Sequence, residues 1–593
     1  MSHVTTPFVP PRAVGDEYGS VAPSAEDMAG RLLAENDDGD REEDDEMQAG
    51  VRNMEATTLV WTRPALVAAY AMVWIVCLVD STQQGAATAL GPWVTSAFGQ
   101  HSLTPTVNIM SQIVGGVFKL TLARVLDVFG RPQGFLLSIL LTTLGYALMA
   151  VCRGLASYAA AHVFCSVGFN GLGYCLTVFV ADASSLRNRG LVMAYSSSPF
   201  IITAWLAGPL SEAFLRGPGF RWAFAVFAVV TPAVTLPLYG LFMHHHRKAE
   251  RLGLGGHKAT TTAGSHRPFS LRALVHYGRE FDVIGLLLLS AGLALLLLPL
   301  NIFSYQELGW RSPLILGLLS AGACLVVLFA AWERYGASVN FIPYALLVDR
   351  TLLGACVLAS ATFVSFFIWD AYFPSFLQVV NGLSVTQASY VAQIYNIGSC
   401  LWSLVVGLVI RRTGRFKRLA LYLGVPLSAL GVGLMIKSRQ PDANIGFLVL
   451  CQILIAVAGG TMVICEQTAV MAAAPRQYVA VVLAIEAMFA AIGGAVGLSV
   501  SASIWQAVFP RKLRQYLPSS ELDKLDSIYG RLDVQLSYPV GSPARTAIQR
   551  AYGDGQKAML ITSTSVLVVA FVATAAWRDI DVRKIKPVSV SVA

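Results

Sequence analysis

Charge is what this sequence has least of. Only 13% of its 593 residues are Asp, Glu, Lys or Arg, while 55% are hydrophobic; an ordinary soluble domain carries about twice that charged share. The deficit excludes a water-soluble body for most of the chain. Motifs of soluble catalysis are missing too. No GxxxxGK[ST] phosphate loop occurs, which argues against a nucleotide-driven pump, and neither GxSxG nor HExxH is present to suggest a membrane enzyme. The nine cysteines (Cys77, Cys152, Cys165, Cys175, Cys324, Cys356, Cys400, Cys451, Cys465) have neither paired metal-ligand spacing nor a disulfide framework. They read as small packing residues. No basic start followed by an apolar core marks a cleavable signal peptide.

What is present is apolar sequence in lengths of about 20 residues, which a helix needs to cross a bilayer core. Fourteen spans are predicted, approximately over residues 65–91, 105–126, 134–151, 156–181, 190–214, 221–243, 282–303, 313–332, 352–378, 387–410, 418–436, 445–471, 478–508 and 558–577. The runs are too long and too uniformly apolar for barrel strands, and a helix satisfies its own backbone in lipid. The predicted fold is therefore an all-α polytopic membrane protein. An even count returns both termini to one side, and the Lys and Arg of the loops there predict that it is cytosolic.

Charge of one sign is segregated along the chain. Residues 1–55 hold 14 acidic and 4 basic side chains, while the remainder holds 39 basic and 21 acidic. Residues 1–60 are predicted to be a disordered acidic cytosolic tail. A six-helix half over 61–243 follows, then a basic cytosolic linker, 244–281, containing His244, His245 and His246. A His tract can bind metal, but a solvated linker is the simpler reading. Two inserted helices and a loop are predicted over 282–350, and a second six-helix half over 351–577 that includes an extracellular loop, 510–556. A cytosolic tail, 578–593, ends the chain. A weak repeat supports the division: "LARVLDVFGRPQG" follows the second span and "VIRRTGRFKR" the tenth. Aligning Gly130-Arg131 with Gly414-Arg415 pairs spans 1–6 with spans 9–14 and leaves spans 7 and 8 as the insertion.

Charges at mid-bilayer cost several kcal/mol, about 2.5–3.5 on insertion scales, so those retained usually line a pathway. Asp80, Lys119, Asp370, Glu466 and Glu486 stand out. Asp80 and Asp370 occupy corresponding first helices of the two halves. Asp370 shares a helical face with Phe363, Phe366, Phe373 and Leu377, with Trp369 and Tyr372 beside it. An aromatic wall with one carboxylate suits a bulky amphipathic ligand, although packing against neighbouring helices explains the Phe residues as well. Tyr395 and Trp402 share a face of span 10, near Gln393 and Asn396, and Gln83 and Gln84 follow Asp80. Glu486 is placed near the midplane, where a carboxylate can take up and release a proton during a transport cycle. Glu466 is a second such group, or a partner for Lys119. Gly493, Gly494 and Gly497 predict close helix approach.

The Gly-Arg loop after a second helix resembles that of the major facilitator superfamily, whose signature there is Gly-x-x-x-Asp-Arg/Lys-x-Gly-Arg. Asp127, Gly130 and Arg131 match; Ala123 and Val128 depart from it, and the second copy has Arg411 where the acid belongs. A closer resemblance covers nearly the whole membrane body. The segments "TSAFGQHSLTPTVNIMSQIVGGVFKLTLARVLDVFGRPQG", "FVADASSLRNRG", "WDAYFPSFLQVVNGLSVTQASYVAQIYNIGSC", "VICEQTAVMAA" and "YGRLDVQLSYPVGSPARTAIQRAYG" look like the fungal siderophore-iron transporters of that superfamily.

The resemblance implies fourteen spans, proton-coupled uptake of ferric siderophores, usually hydroxamates, and a plasma, endosomal or vacuolar membrane. It implies gating by Arg124, Asp127, Arg131 and Arg415, and siderophore contact from the outer loop carrying Tyr529, Tyr538 and Tyr552. Such a ligand saturates its iron with oxygens, so the carrier needs aromatic surface, hydrogen bonds and room, with no resident metal or cofactor. The expected lining is Asp80, Gln83, Asp370, Tyr372, Phe373, Tyr395 and Trp402, and the expected proton carriers are Asp370, Glu466 and Glu486. Expected partners are a ferric siderophore, protons and the lipid bilayer, for a monomer that binds no nucleic acid. Rival readings are a proton-coupled drug or toxin exporter, a glutathione or haem carrier of the same fold, and a non-transporting receptor. Against export, Gly208-Pro209 is followed by Leu210, Ser211, Glu212 and Ala213, an incomplete form of the exporters' Gly-Pro-x-x-Gly-Gly motif.

Overall fold

The computed structural model describes residues 61–97, 104–184, 186–252, 282–299, 308–336, 348–474 and 478–583, together with 303 and 306. The acidic tail over 1–60 and the linker beyond 252 lie outside the described residues. Among those described, the chain is helical and carries no strand beyond one isolated bridge. The first half comprises α1 (Arg63–Ala97), α2 (Thr104–Val128), α3 (Arg131–Val151), α4 (Leu155–Ala183), α5 (Leu186–Ser197), α6 (Phe200–Arg216) and α7 (Phe220–Arg251). The inserted pair is α8 (Val283–Leu297) and α9 (Pro313–Tyr335). The second half comprises α10 (Arg350–Asp370), α11 (Phe373–Val379), α12 (Val385–Thr413), α13 (Val425–Ser438), α14 (Ile445–Ala473), α15 (Val479–Tyr516), α16 (Leu525–Gly530), α17 (Leu532–Ser537) and α18 (Pro543–Ala575).

Twelve helical stretches are long and apolar enough to cross a membrane. They coincide with the predicted spans except the second and seventh, where shorter apolar helices occur, Ile113–Ala123 and Val283–Leu297. Helix entry is marked by polar caps. Asp349 accepts hydrogen bonds from the Thr351 and Leu352 amides at 2.8 and 3.1 Å, and Ser384 and Gln387 form a reciprocal capping box.

Two predicted spans are broken. Span 5 divides into α5 and α6 at Ser198–Pro199, and span 9 into α10 and α11 at Ala371–Tyr372. Each break adjoins a proline, Pro199 or Pro374, whose missing N–H cannot continue the ladder. Two predicted loops are shorter than expected. Residues 244–251 continue α7, where His245 stacks on Trp61 with ring centroids 4.1 Å apart. The outer loop keeps only 517–542 between spans, because α15 runs through Pro510 to Tyr516 and α18 begins at Pro543.

Packing between the halves follows the repeat. α2 lies against α15, and α12 lies against α5 and α6, so each half's second span meets the other half's fifth. Small residues permit these approaches. A Cβ on Gly116 would come within 2.3 Å of the Ala491 Cβ, and one on Gly407 within 2.7 Å of the Leu191 Cα. Within the second half, Gly493 and Gly497 press on the Ser360 and Val364 backbone in the same way, as their spacing predicted. α15 is the most enclosed span, with 72% of its apolar window buried, whereas α9 has 11%. The inserted pair is thus peripheral, with α8 packed on α9 and α2. Trp332 Nε1 donates to Asp282 Oδ1 at 2.7 Å, tying the end of α9 to the start of α8. Of the nine free cysteines, six are buried; Cys324 is exposed on α9.

Candidate transport pathway

The break between α10 and α11 leaves backbone carbonyls without helical partners, and Arg439, just past α13, reaches one of them. Its Nη1 donates to the Trp369 carbonyl at 2.6 Å and to Gln556 Oε1 at 2.7 Å. The guanidinium lies over the Phe373 ring, 3.9 Å from its centroid, a cation–π contact. Arg439 has no solvent exposure, and Asp370, the last residue of α10, is the carboxylate within its electrostatic reach. Sequence reading missed Arg439 because it falls beyond the predicted end of span 11. Its only signal was a lone Arg three residues past an apolar run.

A series of polar groups leads from there across the second half. Tyr395 of α12 is within electrostatic reach of both Asp370 and Glu466. Glu466 of α14 is within electrostatic reach of Glu486 of α15, and Glu486 of Lys119 on α2 in the first half. Glu466 and Glu486 are both buried. Asp370, Glu466, Glu486 and Lys119 thus lie within electrostatic range of one another or of Tyr395. Tyr395 fits because Gly459 leaves room: a Cβ there would sit 2.6 Å from the Tyr395 hydroxyl.

Aromatic rings flank this series. Phe366 packs on Trp369 and Tyr395 with centroids 5.1 and 4.9 Å away. Tyr372 stacks on Trp505 at 4.3 Å, and Trp505 on Phe509 at 4.3 Å. The single aromatic face predicted from Phe363 to Leu377 is interrupted by the helix break, which sends Phe373 and Leu377 into the packed interior. Trp402 donates to Thr461 Oγ1 at 3.0 Å and lines an apolar groove of about 260 Å³ between α12 and α14, beside Leu401, Val405 and Ile453.

Other predicted residues do not join this group. Asp80 stays within the first half, near Cys77, Tyr146 and Cys165. Gln83 is 3% exposed and accepts a hydrogen bond from Thr231 at 2.9 Å, pinning α1 to α7. Tyr538 donates to Glu521 Oε2 at 2.8 Å inside the cap formed by 517–542, and Tyr552 donates to Gln535 Oε1 at 2.8 Å. Lys524 and the Tyr538 hydroxyl hold the Glu521 carboxyl below its ordinary range. Among the described residues, no group of three His, Cys, Asp or Glu is placed to hold a metal ion.

The profile of the Major Facilitator Superfamily matches residues 72–343 and again 283–498. The chain is 54% identical over 541 residues to "MFS siderochrome iron transporter 1" of Ajellomyces capsulatus, covering 91% of each chain. It is 40% identical over 595 residues to "Siderochrome iron transporter 2" of Aspergillus fumigatus, covering 98% of this chain and 96% of that one. The chain belongs to the siderophore-iron transporter family of the major facilitator superfamily. Solved structures agree on the fold. A human organic anion transporter superposes with a TM-score of 0.52 at 14% identity, covering 86% of this chain and 100% of the other. A peptide transporter gives 0.50 at 13%, covering 86% and 95%.

In this family member the two Gly-Arg loops differ in their partners. Arg131 Nε bonds Asp182 Oδ2 at 3.2 Å, joining α3 to the end of α4 within the first half. Arg415 pairs with Asp579, beyond α18 in the second half. Arg124 and Asp127 lie on α2, with side chains outside those described. Contacts between the halves on the side of these loops include other residues. Tyr174 donates to the Ala480 carbonyl at 2.5 Å, and Arg187 Nε to the Arg411 carbonyl at 3.0 Å.

Proposed function

We propose that this protein takes up ferric siderophores of the hydroxamate type, driven by protons, by alternating exposure of one site between its two six-helix halves. The observation that carries the reading is the 54% identity, across 91% of both chains, with a protein named as a siderochrome iron transporter.

The geometry supports a division of labour. Asp370 and Tyr372 at the helix break, with Tyr395 and Trp402 on α12, are each partly exposed and line the cargo path. Phe373 is buried and braces that wall from behind, while Gln83 is buried in the first half and pins α1 to α7. Asp80 stays buried within the first half, and Tyr538 steadies the cap above the path. Glu486 and Glu466 take the proton, with Lys119 as the fixed cation on the opposite half. A proton arriving at Glu486 removes its attraction to Lys119 across the seam, so protonation and the relative position of the halves are linked. Cargo carrying its own saturated iron shell needs no ligand from the protein. One charge moving with the membrane potential supplies about 2.3 kcal/mol per 100 mV, enough to concentrate a neutral complex. We place both termini in the cytosol, count the two short apolar helices as spans for a total of fourteen, and assign the protein to the plasma membrane.

Accumulation of radio-iron presented as a panel of ferric siderophores tests this, in cells that lack carriers of their own, with and without protonophore. Uptake of a hydroxamate complex that depends on the protein and is lost with protonophore is expected. Absence of uptake for every complex, with the protein confirmed at the surface, overturns the reading; uptake unaffected by protonophore overturns its proton coupling.

A further inference from the structure

The second Gly-Arg loop lacks the acid of its motif, since Arg411 stands in that place, and the end of α14 offers none in its stead. α14, which corresponds to α4, ends in Ala472 and Ala473, where α4 carries Asp182. The acids come instead from the chain after α18. Asp579 pairs with Arg415 and, at 3.5 Å, with Arg418. Backbone joins the two segments as well: the Val582 amide donates to the Gly414 carbonyl at 3.1 Å, forming an isolated antiparallel bridge between Arg415 and Asp581. Lys417 Nζ donates to the Ala575 and Trp577 carbonyls at 2.9 and 2.5 Å. Arg583 closes the clamp, bonding Asp581 Oδ2 at 2.7 Å and reaching the Arg412 carbonyl at 3.4 Å.

Local chemistry is shaped to this fit. Gly414 has φ 72°, a left-handed conformation that favours glycine, and a Cβ there would lie 2.0 Å from Asp581 Oδ1. Trp577, 2% exposed, anchors the segment beside Phe416, their rings 6.0 Å apart. Arg578 pairs with Asp349 at 3.1 Å, extending the hold to the start of α10. The same loop touches the first half through Arg187 and the Arg411 carbonyl, next to the close approach of Gly190 and Gly407. The segment Arg578–Arg583 therefore bears on the far side of a loop whose near side forms the seam.

We infer that Asp579 and Asp581 are positioning residues of the gate at this end of the bundle: the C-terminal segment supplies the acid that the second repeat has lost, and its docking holds α12 against α5. Isolated exposed ion pairs contribute little. Here the pairs share a backbone bridge, a buried tryptophan and a glycine that admits no other residue, so they act together. The inference concerns the gate and not the cargo, and a failure of the siderophore assignment leaves it untouched.

Hydrogen–deuterium exchange of the full-length protein in lipid nanodiscs tests it without any substrate. In Asp579→Asn with Asp581→Asn, backbone exchange is expected to rise about fivefold or more, the lower range of coupling between sites, not only over 411–418 but also over α5 in the first half. Reversing the charges together, Arg415→Asp and Arg418→Asp with Asp579→Arg, is expected to return α5 to the wild-type rate. Faster exchange confined to 411–418 and 576–583 would show a local brace and overturn the inference, as would unchanged exchange. If the Asn pair loosens the whole bundle, the reversal variant decides alone: a folded protein with α5 still exchanging fast rejects the gate.

Discussion

Arg439 shows how a single side chain acquires meaning only in three dimensions. A fully buried guanidinium is tolerable when its hydrogen bonds and countercharge are close by, and here the Trp369 carbonyl, Gln556 and Asp370 provide them. Replacing Arg439 with Leu leaves the Trp369 carbonyl without its donor and the Asp370 carboxylate without its countercharge, at a cost of about 3 kcal/mol or more. The expected result is a clearly lowered thermal midpoint in detergent, with Arg439→Lys recovering part of it because an ammonium keeps the charge but not the fork. Glu486 yields a different prediction. Glu486→Gln keeps the shape and removes the titration, so concentrative uptake is expected to be lost while binding of the ferric complex, measured by equilibrium dialysis, is retained. Normal accumulation by that variant would remove Glu486 from the proton path.

At the scale of elements, the contacts that matter are those where glycine lets two helices touch. Gly407 on α12 has the Leu191 Cα and the Gly190 carbonyl where a Cβ would go, at 2.7 and 2.8 Å. Backbone cannot yield as a side-chain tip does, so Gly407→Ala must push α5 and α12 apart. Overpacking of this kind costs about 1–3 kcal/mol. The variant is expected to favour the state open at the terminus end, read as faster labelling of a cysteine introduced at Leu191; an unchanged rate would mean the helices accommodate the methyl. Sequence reading recognised the Gly493–Gly497 stripe because its spacing repeats along one helix. Gly407 stands alone in its sequence, and only the partner helix reveals its role. The breaks in spans 5 and 9 are similar cases: Pro199 and Pro374 were visible, but prolines inside α7 and α15 leave those helices continuous, so packing decided which prolines interrupt.

For the molecule as a whole, docking of the C-terminal segment should be insensitive to mild acid. Arg583 holds the Asp581 carboxyl well below the usual carboxylate range. A group with its pKa lowered on folding contributes stability that is complete above the unfolded value, about 3.9, and fades only as pH falls toward the folded one. Between about pH 7.5 and pH 5, exchange over 576–583 is therefore expected to be constant once corrected for the intrinsic rate. A rise across that interval would place another titrating group in the clamp. The pseudo-symmetry also belongs to this scale. Two seams join the halves, α2 with α15 and α12 with α5 and α6.

The sequence by itself determined that the chain lives in lipid, which stretches form its apolar helices, and that it carries a weak repeat. Those properties are local or periodic: hydropathy sums along a window, and a repeat recurs at a fixed offset. Tertiary structure alone decided that Tyr395 stands between Asp370 and Glu466, that Gln83 and Tyr538 spend their hydrogen bonds on packing, and that Arg439 seals a broken helix. It also decided that an acid missing from one loop arrives from residues 164 positions away. Distances between side chains far apart in sequence depend on the crossing of whole helices, and no window along the chain contains that information.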